Sequence, residues 1–514
     1  MVNIGVSNKQ GALEVAQGEA PQFEKVHWLS NPGLRKLYFW AAVLCVASAT
    51  TGYDGMLLNT SQNMDQWKKF FNTPSGSKLG FMNAIYQIGS LVSFPLVPYM
   101  ADWWGRRTPI AVGCAIMLVG AMLGTFANGY GMYTGGRFVL GFGNSMAQMA
   151  SPVLLTEICH PQHRGRVTAI YNCLWNLGAL CVAWLAWATI EIKGNWSWRS
   201  LTLLQAVPAV IHLVFIYWVP ESPLAFEFLE IKETLRLEFE YKKASTYSDF
   251  IKTKGNRYRL GILVSLGIIS QYSGNALFSN YMNLIHENAG ITKQNQKIPL
   301  NGGQTLLSPI VSVSCAFLVD RVGRRPLFLT STVGMVLMFM CWTIVASQYE
   351  KTNGKNLKAT GYPQIVFVWL FGVFYSLAWS GLLVAYALEI FPYKLRAKGI
   401  MIMNLTVQAT LVLGNYTNPI AWDNLKKQKK TWTFCMFYTL WDFLELLFVY
   451  SFYVETRGPT LEELAKIFDG ESAEVAHLDL HEVEKELHAE HGDMDEKQAA
   501  TVNTSTALFL HSRG

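Results

Sequence analysis

Asp102-Trp103-Trp104-Gly105-Arg106-Arg107 and Asp320-Arg321-Val322-Gly323-Arg324-Arg325 share one pattern, Asp-x-x-Gly-Arg-Arg, and each sits between stretches apolar enough to cross a bilayer. Arginine is among the costliest side chains to leave in hydrocarbon. A doubled arginine at the end of an apolar run therefore marks a tight turn at the water interface, on the cytoplasmic side by the positive-inside rule. Two such turns at matching places divide the chain into halves.

The 514 residues are 51% hydrophobic and 15% charged, and the apolar residues are bunched rather than spread as soluble cores require. About 20 residues of helix span the hydrocarbon layer. Twelve segments qualify: 37–58, 79–100, 109–127, 132–156, 167–190, 200–219, 258–285, 300–319, 326–347, 362–388, 399–420 and 432–454. Unpaired backbone groups are expensive in lipid, and the alternation of a transmembrane barrel is missing, so these segments read as helices. The expectation is an all-α membrane protein with twelve transmembrane helices in two six-helix bundles, 36–219 and 258–454. A charged helical linker (220–257) joins them, and polar segments (1–35 and 455–514) flank them.

The net charge of +6 comes from basic residues at segment ends, not from a stripe with aromatics, so no nucleic-acid partner is expected. Arginines crowd the loops after the even-numbered segments, against Arg199 alone on the other side, which puts both termini in the cytoplasm. Lys426, Lys427, Lys429 and Lys430 run against this rule. The first 30 residues lack the pattern of a cleavable signal. Eight cysteines lie in or beside apolar segments with no CxxC pair and read as small buried hydrophobes, with no metal and no cofactor expected. Asn59-Thr60-Ser61 and Asn195-Trp196-Ser197 match the glycosylation pattern on the expected outer side.

The duplication goes beyond the two turns. Glu157-Ile158 followed by Arg164-Gly165 is echoed by Glu389-Ile390 followed by Arg396 and Gly399, and Pro220-Glu221-Ser222 by Val454-Glu455-Thr456. Parallel six-helix repeats are the architecture of transporters that rock two bundles about a central site.

These residues carry a resemblance. From about residue 36 to 470 the chain resembles the sugar-porter branch of the major facilitator superfamily. The likeness rests on Gly52-Tyr53-Asp54, both Asp-x-x-Gly-Arg-Arg turns, Gly136-Arg137-Phe138, Glu157 with Arg164-Gly165, and Trp198-Arg199 leading to Gln205. It continues in Pro220-Glu221-Ser222-Pro223, Gln271-Tyr272-Ser273-Gly274-Asn275, Glu389-Ile390-Phe391-Pro392 and the run from Glu455 to Glu463. The 271–275 run, a loss before Glu389 and Asn418-Pro419-Ile420 look most like the fungal lactose-permease-type branch. Sugar porters usually carry Gly-Pro and Trp before Glu-Ile-Phe-Pro, where this chain has Ser380-Gly381 and Val384. That substitution implies a missing aromatic floor and a roomier site. After Pro223 the chain runs through Leu224-Ala225-Phe226 straight into the charged helix, a shortened linker that would weaken a latch.

The resemblance implies proton coupling through Asp54, with Arg137 as its partner. The alternative is an ion pair that only holds two helices together. It places a sugar site at Asn172, Gln271, Asn275, Asn280, Asn415 and Tyr416, neutral donors and acceptors beside an aromatic ring. The bland reading of these is helix-to-helix hydrogen bonding. A cytoplasmic gate is expected from Asp102, Gly105, Arg106, Arg107, Glu157 and Arg164 with Asp320, Gly323, Arg324, Arg325, Glu389 and Arg396. His212, Asp442 and Glu445 are expected to be satisfied interior polar groups.

The function so implied is proton-coupled uptake of a disaccharide such as lactose at the plasma membrane, by a monomer in lipid, with no catalysis. A hexose or pentose transporter is the alternative within the class, and a non-transporting sugar sensor the alternative outside it. No Walker sequence for ATP-driven pumping is present, and the expected energy source is a gradient.

Overall fold

A computed structural model of the chain describes residues 32–159, 164–220, 247–291, 293–352, 357–391, 393–457 and 467–468. Most of the linker and the tail therefore lie outside the described residues. The first six spans are α1 (Pro32–Ser61), α2 (Gly76–Ser93 continued by Leu96–Trp104), α3 (Arg107–Thr125), α4 (Tyr130–Ile158), α5 (Arg164–Thr189) and α6 (Trp196–Leu204 with Ala206–Phe215). The second six are α7 (Lys254–Tyr272 with Asn275–Asn288), α8 (Gln294–Val322), α9 (Arg324–Lys351), α10 (Tyr362–Ala378 with Leu382–Ile390), α11 (Tyr393–Lys427) and α12 (Trp432–Phe452). Among the described residues these twelve spans build two six-helix bundles of an all-helical membrane protein.

Packing repeats between the halves. In the first, α1 packs on α5, α2 on α4, and α3 on α4 and α6; in the second, α7 packs on α11, α8 on α10, and α9 on α10 and α12. Each partnership recurs six helices later, which is what a duplicated sequence dictates. Small residues allow the tightest crossings, as packing between helices in lipid requires. A Cβ on Gly52 would lie 1.8 Å from the Trp175 carbonyl oxygen, and one on Gly178 would lie 1.8 Å from that of Ala49, so α1 and α5 touch backbone to backbone.

The halves meet through α2 against α11, α5 against α8, and the Asn275–Asn288 part of α7 against α1. Among the described residues eight helical stretches are long and apolar enough to cross a membrane, and α2, α5, α8 and α11 are not among them. These four pack across the halves and spend less surface on lipid, so they tolerate Asn83, Asn176, Asn301, Gln304, Gln408 and Asn415.

The expected segments 258–285 and 362–388 are interrupted. Gly274, at φ +93°, breaks α7 ahead of Asn275, and the helix of α10 stops at Ala378 and resumes at Leu382. Exposed aromatics (Tyr99, Trp103, Trp104, Tyr217, Trp218 and Tyr450) gather near the two Gly-Arg-Arg turns, as in an interfacial belt. Asn59 is fully buried inside α1 and donates to Asn301 at 3.5 Å, so this glycosylation pattern is not open to a glycan.

Candidate functional site

A cavity of about 400 Å³ lies between the halves, within the range of small-molecule sites. The first half contributes Thr51 and Gly55 from α1, Tyr86, Gln87 and Ser90 from α2, Gln148 from α4, and Trp175 and Asn176 from α5. The second contributes Gln271, Asn275, Ser279 and Asn280 from α7, Asn301, Gln304, Thr305 and Ser308 from α8, and Gln408 from α11. Phe278, Phe371, Tyr375 and Trp379 supply rings. Neutral amides and hydroxyls among aromatic faces bind polyhydroxylated molecules without needing charge.

The break at Gly274 sets the wall of the second half. A fresh helix starts at Asn275 and stacks its polar side chains in one ladder. Asn275 Nδ2 donates to Gln271 Oε1 at 3.3 Å, and Ser279 Oγ donates to Asn275 Oδ1 at 3.3 Å. Asn280 Nδ2 donates to Asn415 Oδ1 at 2.9 Å. Of the expected sugar contacts, Gln271, Asn275 and Asn280 thus line the cavity. Asn415, 1% exposed, stands behind Asn280 as its acceptor. Tyr416 corrects the expectation: its side chain is 43% exposed and is not on the cavity wall. The side chain of Asn172 lies outside the described residues.

The expectation of a missing aromatic floor is also corrected. Val384 is 43% exposed and lies off the wall, while Trp379, five positions earlier, is buried and lines the cavity. Its ring packs edge-on against Phe328 at 4.9 Å, which fixes its orientation. Four of the other lining residues that the sequence reading missed had a signal: Asn301, Gln304, Thr305 and Ser308 recur at three- and four-residue intervals on one face of an otherwise apolar stretch.

Asp54 is fully buried, and neither of its carboxylate oxygens has a hydrogen-bond partner. Arg137, 7% exposed, makes no hydrogen bond through Nε or Nη1 and stacks over the Tyr86 ring at 5.1 Å from its centroid. The expected pair is therefore apart in this conformation. His212 Nε2 lies 2.6 Å from the Val43 carbonyl oxygen and is satisfied. Asp442 and Glu445 are not: both are buried, and none of their four oxygens has a hydrogen-bond partner, contrary to the expectation.

The charged turns pair neighbouring helices of the same half. Arg106 Nε lies 3.4 Å from Glu157 Oε1, and Arg324 Nη2 lies 2.9 Å from Glu389 Oε1, at equivalent places in the two repeats. Gly105 and Gly323 have φ of +83° and +101°, which explains the glycine of the motif. Arg107 and Arg325 donate to the carbonyls of Tyr217 and Tyr450. Glu455 caps the second turn, accepting from the backbone N–H groups of Arg324 and Arg325 at 2.9 and 3.1 Å. The side chains of Asp102, Arg164, Asp320 and Arg396 are outside the described residues.

Charged contacts that join the halves lie at the opposite end. Glu287 Oε1 accepts from Lys68 of the first half and, at 3.0 Å, from Lys297, whose side chain is 2% exposed. Gln62 Nε2 donates to the Asn280 carbonyl at 3.2 Å, just above the amide ladder. Glu287→Gln would leave a buried ammonium without its counter-ion, a loss of about 3–5 kcal/mol for such pairs. We expect this end to open. A cysteine at Thr51 should then react with an impermeant maleimide applied from that end about tenfold or more faster than with Glu287 intact; equal rates would remove the gate.

Comparison with known proteins follows the same lines. A high-affinity glucose transporter of Kluyveromyces lactis is 23% identical over 491 residues, spanning 87% of this chain and 88% of its own. A glucose transporter of Staphylococcus epidermidis is 25% identical over 403 residues, 73% and 85% of the two chains. The crystal structure of a D-xylose-proton symporter superposes with a TM-score of 0.69 at 19% identity, covering 82% of this chain and 99% of that one. The profile of the sugar (and other) transporter family matches residues 40–468. With twelve helices in two repeats, an amide-lined cavity between them and a family match over most of its length, the chain belongs to the sugar porters of the major facilitator superfamily.

Proposed function

We propose that the protein moves a monosaccharide, a hexose or a pentose, across the membrane by alternating access, with inward proton movement as the driving force. The observation that carries this reading is the cavity itself: amides from both repeats face one another beside Trp379 and Trp175, at the level where the halves must separate. With Trp379 on the wall, the argument from a roomier site for a disaccharide falls away, and the proteins named above are two glucose transporters and a D-xylose-proton symporter. Proton coupling is supported by Asp54, a buried carboxyl without a partner, one turn from Thr51 on the wall.

With the Gly-Arg-Arg turns in the cytoplasm, the end closed by Lys68, Glu287 and Lys297 faces outward, and the conformation is inward-facing. The pairs Arg106–Glu157 and Arg324–Glu389 would then tie helix ends within each bundle and offer surfaces that meet when the protein faces outward. Asp102, Arg164, Asp320 and Arg396 complete the proposed gate. Gln271, Asn275 and Asn280 would bind the sugar, with Asn415 holding Asn280 in place.

Uptake of labelled glucose, xylose and lactose in a yeast without its own sugar permeases tests the reading. Glucose or xylose should accumulate faster at acid external pH, and lactose should neither enter nor compete. Gln271→Ala, which removes a neutral hydrogen bond, should raise KM by about tenfold. Lactose uptake blocked by excess unlabelled lactose but not by glucose would restore the disaccharide reading.

A further inference from the structure

Tyr86 touches both parts of the site. Its side chain lines the cavity, and the same ring carries the Arg137 guanidinium at 5.1 Å. Its hydroxyl accepts from Asn144 Nδ2, and Asn144 Oδ1 accepts from Thr51 Oγ1 at 3.1 Å. Thr51 is itself on the cavity wall, three residues before Asp54. The backbone of Tyr86 is held as firmly: its carbonyl oxygen would sit 2.1 Å from a Cβ on Gly141, and Ser90 Oγ bridges the carbonyls of Tyr86 and Gly141.

We propose that Tyr86 is the alternative partner of Arg137, a positioning residue that holds the arginine away from Asp54 in this conformation and connects that switch to the occupancy of the cavity. The inference rests on the proton-coupled reading above. A guanidinium in a dry interior needs a counterpart, and the face of an aromatic ring supplies one when a carboxylate does not. While Arg137 rests on the ring, it makes no hydrogen bond to Asp54, and the buried carboxyl, without a direct partner, keeps a proton. When Arg137 moves to Asp54, the carboxylate is stabilised and the proton leaves. No bond other than O–H is made or broken, and the proton passes to water on the open side.

Sugar enters through the other edge of Tyr86. The phenol accepts from Asn144, so its own O–H remains available to an acceptor in the cavity. A bound sugar hydroxyl there fixes the ring and with it the place of Arg137. The titratable and charged groups facing the switch are Tyr53 from α1, Tyr86 from α2, Tyr133 and Arg137 from α4 and Tyr281 from α7, with Cys181 of α5 behind Tyr53.

Two substitutions separate ring from hydroxyl. Tyr86→Leu removes the ring, and Arg137 should settle on Asp54. The pH at which uptake is half-maximal should then move to the acid side by about one unit, corresponding to roughly tenfold weaker proton binding. Tyr86→Phe keeps the ring and should restore the wild-type pH midpoint while raising the sugar KM. Sugar exchange and thermal melting of the purified proteins show that both variants are folded. A Tyr86→Leu protein with the wild-type midpoint, or a Tyr86→Phe protein shifted as far as Tyr86→Leu, overturns the proposal. If wild-type transport moves no protons, the symport reading itself fails and the switch fails with it, a result visible before any variant is made.

Discussion

Replacing Asp54 by asparagine is expected to abolish uphill accumulation while sugar exchange continues. A membrane potential of about 100 mV supplies about 2.3 kcal/mol per charge moved, enough for roughly fiftyfold accumulation when one proton accompanies each sugar. The amide of the Asp54→Asn variant has the shape of a protonated carboxyl and cannot release a proton. The site is fully buried, and the carboxylate oxygens bind no neighbour that an amide would repel. Both open states should therefore remain accessible, with exchange within about threefold of wild type, while the accumulation ratio falls to about one. Counterflow and proton-driven uptake in the same proteoliposomes measure the two quantities. Continued accumulation would mean that the proton is carried elsewhere, and the buried, unpartnered carboxyls of Asp442 and Glu445 would be the next to test.

The second large effect concerns assembly. Gly52→Val should prevent α1 from seating on α5. Its Cβ would lie 1.8 Å from the Trp175 carbonyl oxygen and 2.7 Å from the carbonyl carbon, and neither can rotate away as a side chain could. Ordinary overpacking costs about 1–3 kcal/mol. Here two helices must move apart, so the loss should exceed that range and show as a large fall in melting temperature and in monodisperse yield. Gly178→Val meets the Ala49 carbonyl oxygen at 1.8 Å on the same crossing and should behave alike. Gly261→Ala, where a Cβ meets nothing within 4 Å, should be neutral or slightly stabilising, because glycine is the poorer helix former. Equal melting temperatures for Gly52→Val and Gly261→Ala would contradict the packing described here.

The helix count and the repeat were legible in the sequence because hydrocarbon imposes one rule along the whole chain: about 20 apolar residues per span, with arginine at the ends. The breaks in α7 and α10 were not, since a glycine inside a span-length segment does not by itself interrupt a helix, and Gly274 and Gly381 both lie inside such segments. Three of the six expected sugar contacts stand on the cavity wall, all on α7, where the resemblance places them. Tyr416 misled because adjacent positions on a helix face about 100° apart, so Asn415 can turn inward while its neighbour turns out. Reading Val384 as a lost aromatic overlooked Trp379, because a helix interrupted between Ala378 and Leu382 no longer keeps the register that the motif assumes.

The sequence by itself determined the class of molecule: its spans, its twofold repeat, the charged turns and Asp54 in a membrane helix all follow from the cost of polarity in lipid, a property of each residue alone. Only the tertiary structure decided which polar residues share a cavity, that Arg137 lies on Tyr86 apart from Asp54, and that Glu287 joins the halves through Lys68 and Lys297. These depend on distances between helices far apart in the chain. Such distances are set by where small residues let backbones touch and by which ends of the bundles close.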